Sequence, residues 1–228
     1  MIKTALLLLI LVVASVNSIS LDIHLQLDQA TYDLAVYYNQ QVNKLAPNNQ
    51  VFLGTESLPH ITLYLTDFQE NQVQNIQQSI EKVFPVLQQV AQDCNVELNF
   101  INVTGQYGMW NVKLNSCLQT LSDVIVDNTY QFITPNQSIP EWVYDLPEPL
   151  RSEKIAMIQK YGSPNVFDQF QPHVTLAWDA VDNLVQVFNT INVQPASCFS
   201  PSIGIGSVGP YGTVLDNKYG LFNFTTTI

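Results

Sequence analysis

Pro59-His60-Ile61-Thr62-Leu63 returns later in the chain as Pro172-His173-Val174-Thr175-Leu176. The chain holds 3 histidines in 228 residues, and two of them stand in this repeated frame. In an extended strand, residues i and i+2 share a face. Each motif therefore projects a histidine and a threonine together, while Ile61, Leu63, Val174 and Leu176 face the other way into a core. By the same alternation Tyr64 lies on the His60 and Thr62 face, and Trp178 lies with Leu176 on the face away from His173 and Thr175. Two such strands side by side make a cleft floored by two imidazoles and two hydroxyls. The motifs are too far apart in sequence for one local loop, so only the fold can unite them.

Outward from the motifs, the pattern is a strand, an amphipathic helix and further strands, and it occurs twice. Asp28 is placed to cap a helix through about Leu45, with Ala30, Leu34, Tyr38, Val42 and Leu45 on one face. Val51 to Leu53 reads as a strand. Glu70 to Phe84 has helical spacing at Val73, Ile76, Ile80 and Val83, and Pro85 predicts a kink or an end there. Val96, Leu98 and Phe100 alternate as a strand that pairs with Met109 to Leu114. Leu118, Leu121 and Ile125 mark a third helix, and the proline-rich stretch 133–149 reads as a connector. A helix over Arg151 to Tyr161, a strand over His173 to Trp178 and a short helix capped by Asp182 follow. The tail reads as strands at Ile203 to Val208, Thr213 to Leu215 and Tyr219 to Phe224. The fold class this predicts is α+β, bilobal and pseudo-symmetric, with antiparallel sheets forming a central groove and helices outside.

Lys3 followed by the apolar run Ala5 to Ala14 reads as a secretory signal peptide, cleaved after Ser18 or Ser20. The run is short of the ~20 residues a spanning helix needs. The reading is therefore a leader at 1–18 and one domain over 19–228, secreted or in the endomembrane lumen, with no membrane partner and as a monomer. Three cysteines in such a context predict one disulfide and one free thiol. The strand pair between Cys94 and Cys117 favours that pairing, with Cys198 left over. Asn102-Val103-Thr104, Asn136-Gln137-Ser138 and Asn223-Phe224-Thr225 are acceptor sequences for glycosylation.

The chain carries 8 basic and 19 acidic residues, a formal net charge of −11, and loss of Lys3 with the leader makes it one unit more negative. A long nucleic acid, whose affinity depends on many Lys and Arg contacts, is not an expected partner. A small phosphate ester held by local donors is. Acid–base work on a phosphodiester fits the four motif residues. One neutral histidine takes a proton from the attacking water or hydroxyl, and the other, protonated, gives one to the leaving oxygen; an unperturbed pKa near ~6.5 suits both roles. Thr62 and Thr175 donate hydrogen bonds to phosphate oxygens, where charge builds up. No cofactor or metal is called for, and His24, the remaining histidine, lies near the cleaved end.

The paired His-x-Thr-aliphatic motifs resemble those of the two-histidine phosphoesterases, the group containing 2′,5′ RNA ligase-like proteins and cyclic nucleotide phosphodiesterases. The resemblance covers most of the mature chain in element order, and the paired motifs are its specific part. It implies that His60 and His173 are catalytic acid and base, that Thr62 and Thr175 hold the phosphate, and that 2′,3′-cyclic or 2′-5′ linked phosphates of small nucleotides or RNA ends are substrates. Tyr64, on the motif face, and Tyr211, in the turn Gly209-Pro210-Tyr211-Gly212-Thr213, are further candidates for contact with a base. Lys113, Arg151 and Lys154 are weaker candidates for phosphate donors. The competing function is a secreted nucleotide-binding or interaction module of the same fold without turnover. A ribonuclease-type hydrolase ranks last, because it would bring more disulfides and basic residues.

Overall fold

A computed structural model describes residues 17–224. The leader expected at 1–18 lies outside them except for its last two residues, and Ser18 already opens the first strand. Two four-stranded antiparallel sheets form an α+β fold. Sheet one runs in the order β2 (His60–Gln69), β1 (Ser18–Gln26), β7 (Ser202–Ser207), β8 (Gly220–Asn223). Sheet two runs β5 (His173–Trp178), β4 (Tyr107–Val112), β3 (Asn95–Thr104), β6 (Ala196–Phe199). Each motif strand is thus the edge strand of its own sheet, and the two edges lie alongside each other. The sheets do not divide the chain into halves. Sheet one joins both ends of the chain, and sheet two is built from its middle.

The helices are α1 (Gln29–Leu45), α2 (Val73–Gln92), α3 (Ser116–Thr129), the single turn α4 (Glu141–Tyr144), α5 (Leu150–Tyr161) and α6 (Val181–Thr190). α2 and α3 pack on sheet one, and α1 and α6 on sheet two. Asp28 caps α1 by accepting from the Thr31 amide, as its position predicts. α5 ends at Gly162, whose φ of 72° suits the left-handed cap that glycine favours. Among the described residues, no helix is long and apolar enough to cross a membrane.

Several elements differ from the sequence reading for identifiable reasons. α2 does not end at Pro85 but continues to Gln92. An interior proline costs about 3 kcal/mol, but Ile76 and Ile80 before it and Leu87 and Ala91 after it are all buried on one stripe. That packing holds both halves in line. Val51 to Leu53 is not a regular strand, because asparagine side chains occupy its backbone. Val51 O accepts from Asn39 and Asn49, and Leu53 N donates to Asn39 Oδ1. Around Thr213 to Leu215 only bridges form, from Val214 to Leu58 and to Val208. The residues around His24, near the expected cleavage point, form β1, a central strand of sheet one.

Cys94 and Cys117 are joined, with Cα atoms 5.6 Å apart, and the β3–β4 hairpin between them brings the ends together. Cys198 is free and buried on β6.

Candidate functional site

Both motif strands carry the same irregularity. Ile23 pairs with Tyr64 and His24 with Thr62, so Leu63 is an extra residue in β2. Gly108 pairs with Ala177 and Met109 with Thr175, so Leu176 is an extra residue in β5. Each bulge falls on the leucine that follows the motif threonine, and each is tied from behind. Leu63 O accepts from Ser122 Oγ of α3 at 2.8 Å, and Leu176 O accepts from Asn39 Nδ2 of α1 at 2.8 Å. Ser122 and Asn39 are both buried, and each satisfies a carbonyl that the ladder leaves over.

The bulges reassign the faces. One extra residue reverses the alternation beyond it. Tyr64 therefore lies opposite Ile23 on the core face, not beside His60. Its ring packs edge-on against Phe68 and its hydroxyl donates to Tyr161 O at the end of α5. Trp178 moves the other way, onto the face of His173 and Thr175, and stacks on Tyr211 with ring centroids 4.0 Å apart. Tyr211, in a left-handed conformation with φ 61°, is thus held beside the motif face of β5. The turn that carries it also reaches Leu65 of β2 at Gly212.

His60 and His173 are oriented by one device. His60 Nδ1 lies 2.8 Å from Leu58 O, and His173 Nδ1 lies 2.8 Å from Gln171 O. In each case the acceptor is two residues back, across the motif proline. Proline biases its predecessor to extended geometry, which aims that carbonyl at the ring. A carbonyl can only accept, so Nδ1 carries the proton and Nε2 presents its lone pair. His60 is 7% exposed and His173 is half-buried. Burial is the main influence lowering both pKa values. His60 falls to about 3, with His24 and His173 both opposing a charge on it, and His173 also falls. The two motif imidazoles therefore share one electrostatic neighbourhood.

β1 brings in groups that the sequence reading passed over. Asp22 is fully buried, and its Oδ2 accepts from Thr62 Oγ1 at 2.6 Å and lies 3.6 Å from His60 Nε2. The latter is too long for a hydrogen bond. Burial raises the Asp22 pKa to about 8, against the opposing bond from Thr62. His24 is also fully buried, edge-on to His60 with centroids 5.3 Å apart. Its Nδ1 faces Asp22 O and its Nε2 lies 3.0 Å from the Asn217 amide. Burial lowers its pKa to about 4. The group facing Nε2 is Asn217 Oδ1, so both ring nitrogens meet acceptors and the single proton of the neutral ring serves one of them, Asn217 Oδ1 being the nearer. The signal was present in Leu21-Asp22-Ile23-His24-Leu25, a strict alternation with polar residues on one face.

The basic candidates lie elsewhere. Lys113 pairs with Glu97 and Arg151 with Glu148 on the surface. Lys154 is buried against Asn165 and Gln169 O, where it serves packing. Among the described residues, no group of three or more His, Cys, Asp or Glu side chains is placed to hold a metal ion. A cavity of about 430 Å³ opens beside His24, Gln26, Tyr32, Leu58 and Pro59. His60 and His173 lie outside its lining.

A family model described as protein of unknown function (DUF1045) matches residues 66–192, more than half of the chain. The chain belongs to the DUF1045 family. The DUF1045 match takes in β5 with His173, Thr175 and Trp178, and it starts beyond His60 and Thr62. Asp22, His24 and Tyr211 also lie outside it. No curated protein matches the chain.

Proposed function

We propose that this protein is a two-histidine phosphoesterase, opening 2′,3′-cyclic or 2′-5′ phosphodiester bonds of small nucleotides or RNA ends. His60 and His173 exchange the roles of base and acid. The observation that carries this reading is the matched pair of Nδ1 bonds to Leu58 O and Gln171 O on adjacent edge strands. These bonds leave two Nε2 atoms as proton acceptors in one groove. Without substrate both rings are held neutral. A phosphate anion between them supplies the negative charge that raises one ring's pKa, so the acid form is created by binding. The bilobal, pseudo-symmetric character of the two-histidine fold belongs to the same proposal. It is supported by the bulge that follows each motif threonine and by the buried side chain that ties each bulge.

Trp178 stacked on Tyr211 supplies an aromatic platform at the groove end, where a base can stack. The acidic surface favours a small substrate over a long nucleic acid. The Cys94–Cys117 bond and the exposed acceptor asparagines Asn102, Asn136 and Asn223 support a secreted or lumenal glycoprotein.

The test is turnover of 2′,3′-cyclic nucleotides by purified protein in EDTA. We expect a loss of about 10²-fold or more in His60→Ala and in His173→Ala. Full activity in either variant overturns the mechanism, and activity abolished by the chelator overturns the metal-independent reading. The deep burial of His60 also suits a binding module without turnover. Saturable nucleotide binding with no product would establish that second reading.

A further inference from the structure

The two motif threonines are not equivalent. On β4 the neighbours of Thr175 are Met109, directly opposite, and Tyr107, two residues along. Among the described residues, no hydrogen bond occupies the Thr175 hydroxyl. On β1 the corresponding neighbours of Thr62 are His24 and Asp22, and Thr62 gives its only hydroxyl proton to Asp22 Oδ2 at 2.6 Å. A threonine whose proton is held by a carboxylate has nothing left to donate to a phosphate oxygen. Yet Asp22 is itself poorly served as an anion. It is fully buried, and among the described residues its Oδ1 has no hydrogen-bond partner and Thr62 is its single donor. A buried carboxylate with one donor and one orphaned oxygen is costly. A carboxylic acid in the same place is not, because Oδ2–H donates to Thr62 Oγ1 across the same 2.6 Å.

We propose that Asp22 is a positioning residue that acts as a neutral acid. It donates to Thr62 Oγ1 and so turns the Thr62 hydroxyl proton toward the bound phosphate; its ionisation withdraws that donor and closes the first-motif half of the anion site. This rests on the groove being a phosphate site. The charge state of Asp22 then gates anion binding, with one proton taken up on binding wherever Asp22 is ionised in the empty protein.

The groups facing Asp22 are His24 on its own strand, His60 and Thr62 from β2, and the Asp216–Asn217–Lys218 segment that lies over Gly204 and Gly206 of β7. Asp67 lies further along the same face and takes the Ser20 hydroxyl. His173 faces His60 from β5. In the empty protein the histidines are all lowered by burial, so none is charged above pH 7, and the proton that a bound anion draws to a motif imidazole is common to the unsubstituted chain and to Asp22→Asn. Asp216 is held low by hydrogen bonds from Ser207 and Lys218 and stays ionised. Asp22, raised to about 8, is the member of this set that titrates between pH 7 and 9.

Sulfate is the probe, because it stays a dianion across that window. We expect its affinity for the full chain to be about tenfold weaker at pH 9 than at pH 7, since each pH unit above the pKa costs a factor of ten. In Asp22→Asn, where a carboxamide N–H replaces the acid proton, the same rise in pH should weaken binding about tenfold less than in the unsubstituted chain. A flat profile in the unsubstituted chain, or the same slope in Asp22→Asn, overturns the proposal. If Thr175→Val still weakens sulfate binding in that case, the phosphate-site reading survives alone. Sulfate bound at no pH overturns both. Should Asp22→Asn not fold, carbon-13 titration of the Asp22 carboxyl in the unsubstituted chain decides. Ionisation near pH 8 supports the proposal, and ionisation below pH 5 overturns it.

Discussion

The prolines of the two motifs matter because they set where a carbonyl points. Leu58 and Gln171 stand before Pro59 and Pro172, and their carbonyls each fix one imidazole by its Nδ1–H. A histidine fixed in this way has a defined tautomer before any ligand arrives, so its proton acceptor needs no reorganisation. The opposite wall of the site depends on an absence of side chain. Gly204 sits opposite His24, and a Cβ there would collide with the Asn217 amide and with the His24 ring. Gly204→Ala must push the Asn217 loop outward or tip the imidazole off its partners. We expect it to cost about 1–3 kcal/mol of stability, in the range of overpacking and a lost buried hydrogen bond. Urea denaturation measures the loss, and a shift of the His24 ring resonances in the folded state locates it. Wild-type stability with unshifted resonances would mean the loop gives way freely.

The two bulges show how far a strand can be read from its sequence. Alternation finds His60, Thr62, His173 and Thr175, since all four precede the irregularity. It misplaces Tyr64 and Trp178, which follow it, because an extra backbone residue leaves no mark in the pattern of apolar and polar side chains. The helix limits of α1 and α5 were legible from caps and periodicity, and the presence of α3 from periodicity alone. The course of α2 through Pro85 was not, because tertiary packing outweighs a local breaker. Asp22 and His24 were legible as a strand face, and only their nearness to the leader hid them. What fixes the bulges is equally specific. Ser122 Oγ supplies one hydrogen bond to Leu63 O, whereas Asn39 serves Leu176 O, Val51 O and Leu53 N together. Ser122→Ala leaves one buried carbonyl unpaired and should cost about 1–3 kcal/mol; Asn39→Ala leaves Leu176 O and Leu53 N unpaired, with Val51 O keeping only Asn49, and should cost more. Chemical denaturation ranks them, and equal losses would contradict the unequal roles. The pairing also predicts which motif loosens. Amide exchange should quicken around Thr62 in the first variant and around Thr175 in the second.

At the scale of the whole molecule, the buried site makes folding stability depend on pH in two opposed ways. His24, His60 and His173 are held below their ordinary 6.5, so below that pH the unfolded chain binds protons that the folded chain refuses. Stability therefore rises with pH up to about 6.5. Asp22 is held above its ordinary 3.8, to about 8, so between those values the folded chain keeps a proton that the unfolded chain releases. That contribution falls as pH rises, and levels off past about 8. Below 6.5 three histidines outweigh one aspartate. Above 6.5 the unfolded histidines lose their remaining protons by about pH 7.5, and Lys154, lowered by burial to about 8, already loses its proton in the fold as pH 8 is approached, so both still raise stability. Asp22 opposes them at about 1.4 kcal/mol per pH unit. The expected curve therefore climbs to about pH 6.5 and flattens above it. Asp22→Asn removes the Asp22 contribution from both limbs, so its advantage over the unsubstituted chain grows from pH 5.5 through 6.5 to 8. Urea midpoints at pH 5.5, 6.5 and 8 for the two proteins measure both limbs. If the difference between the two proteins stayed constant from pH 6.5 to 8, Asp22 would have to be ionised in the fold, and Thr62 would then be permanently committed to it.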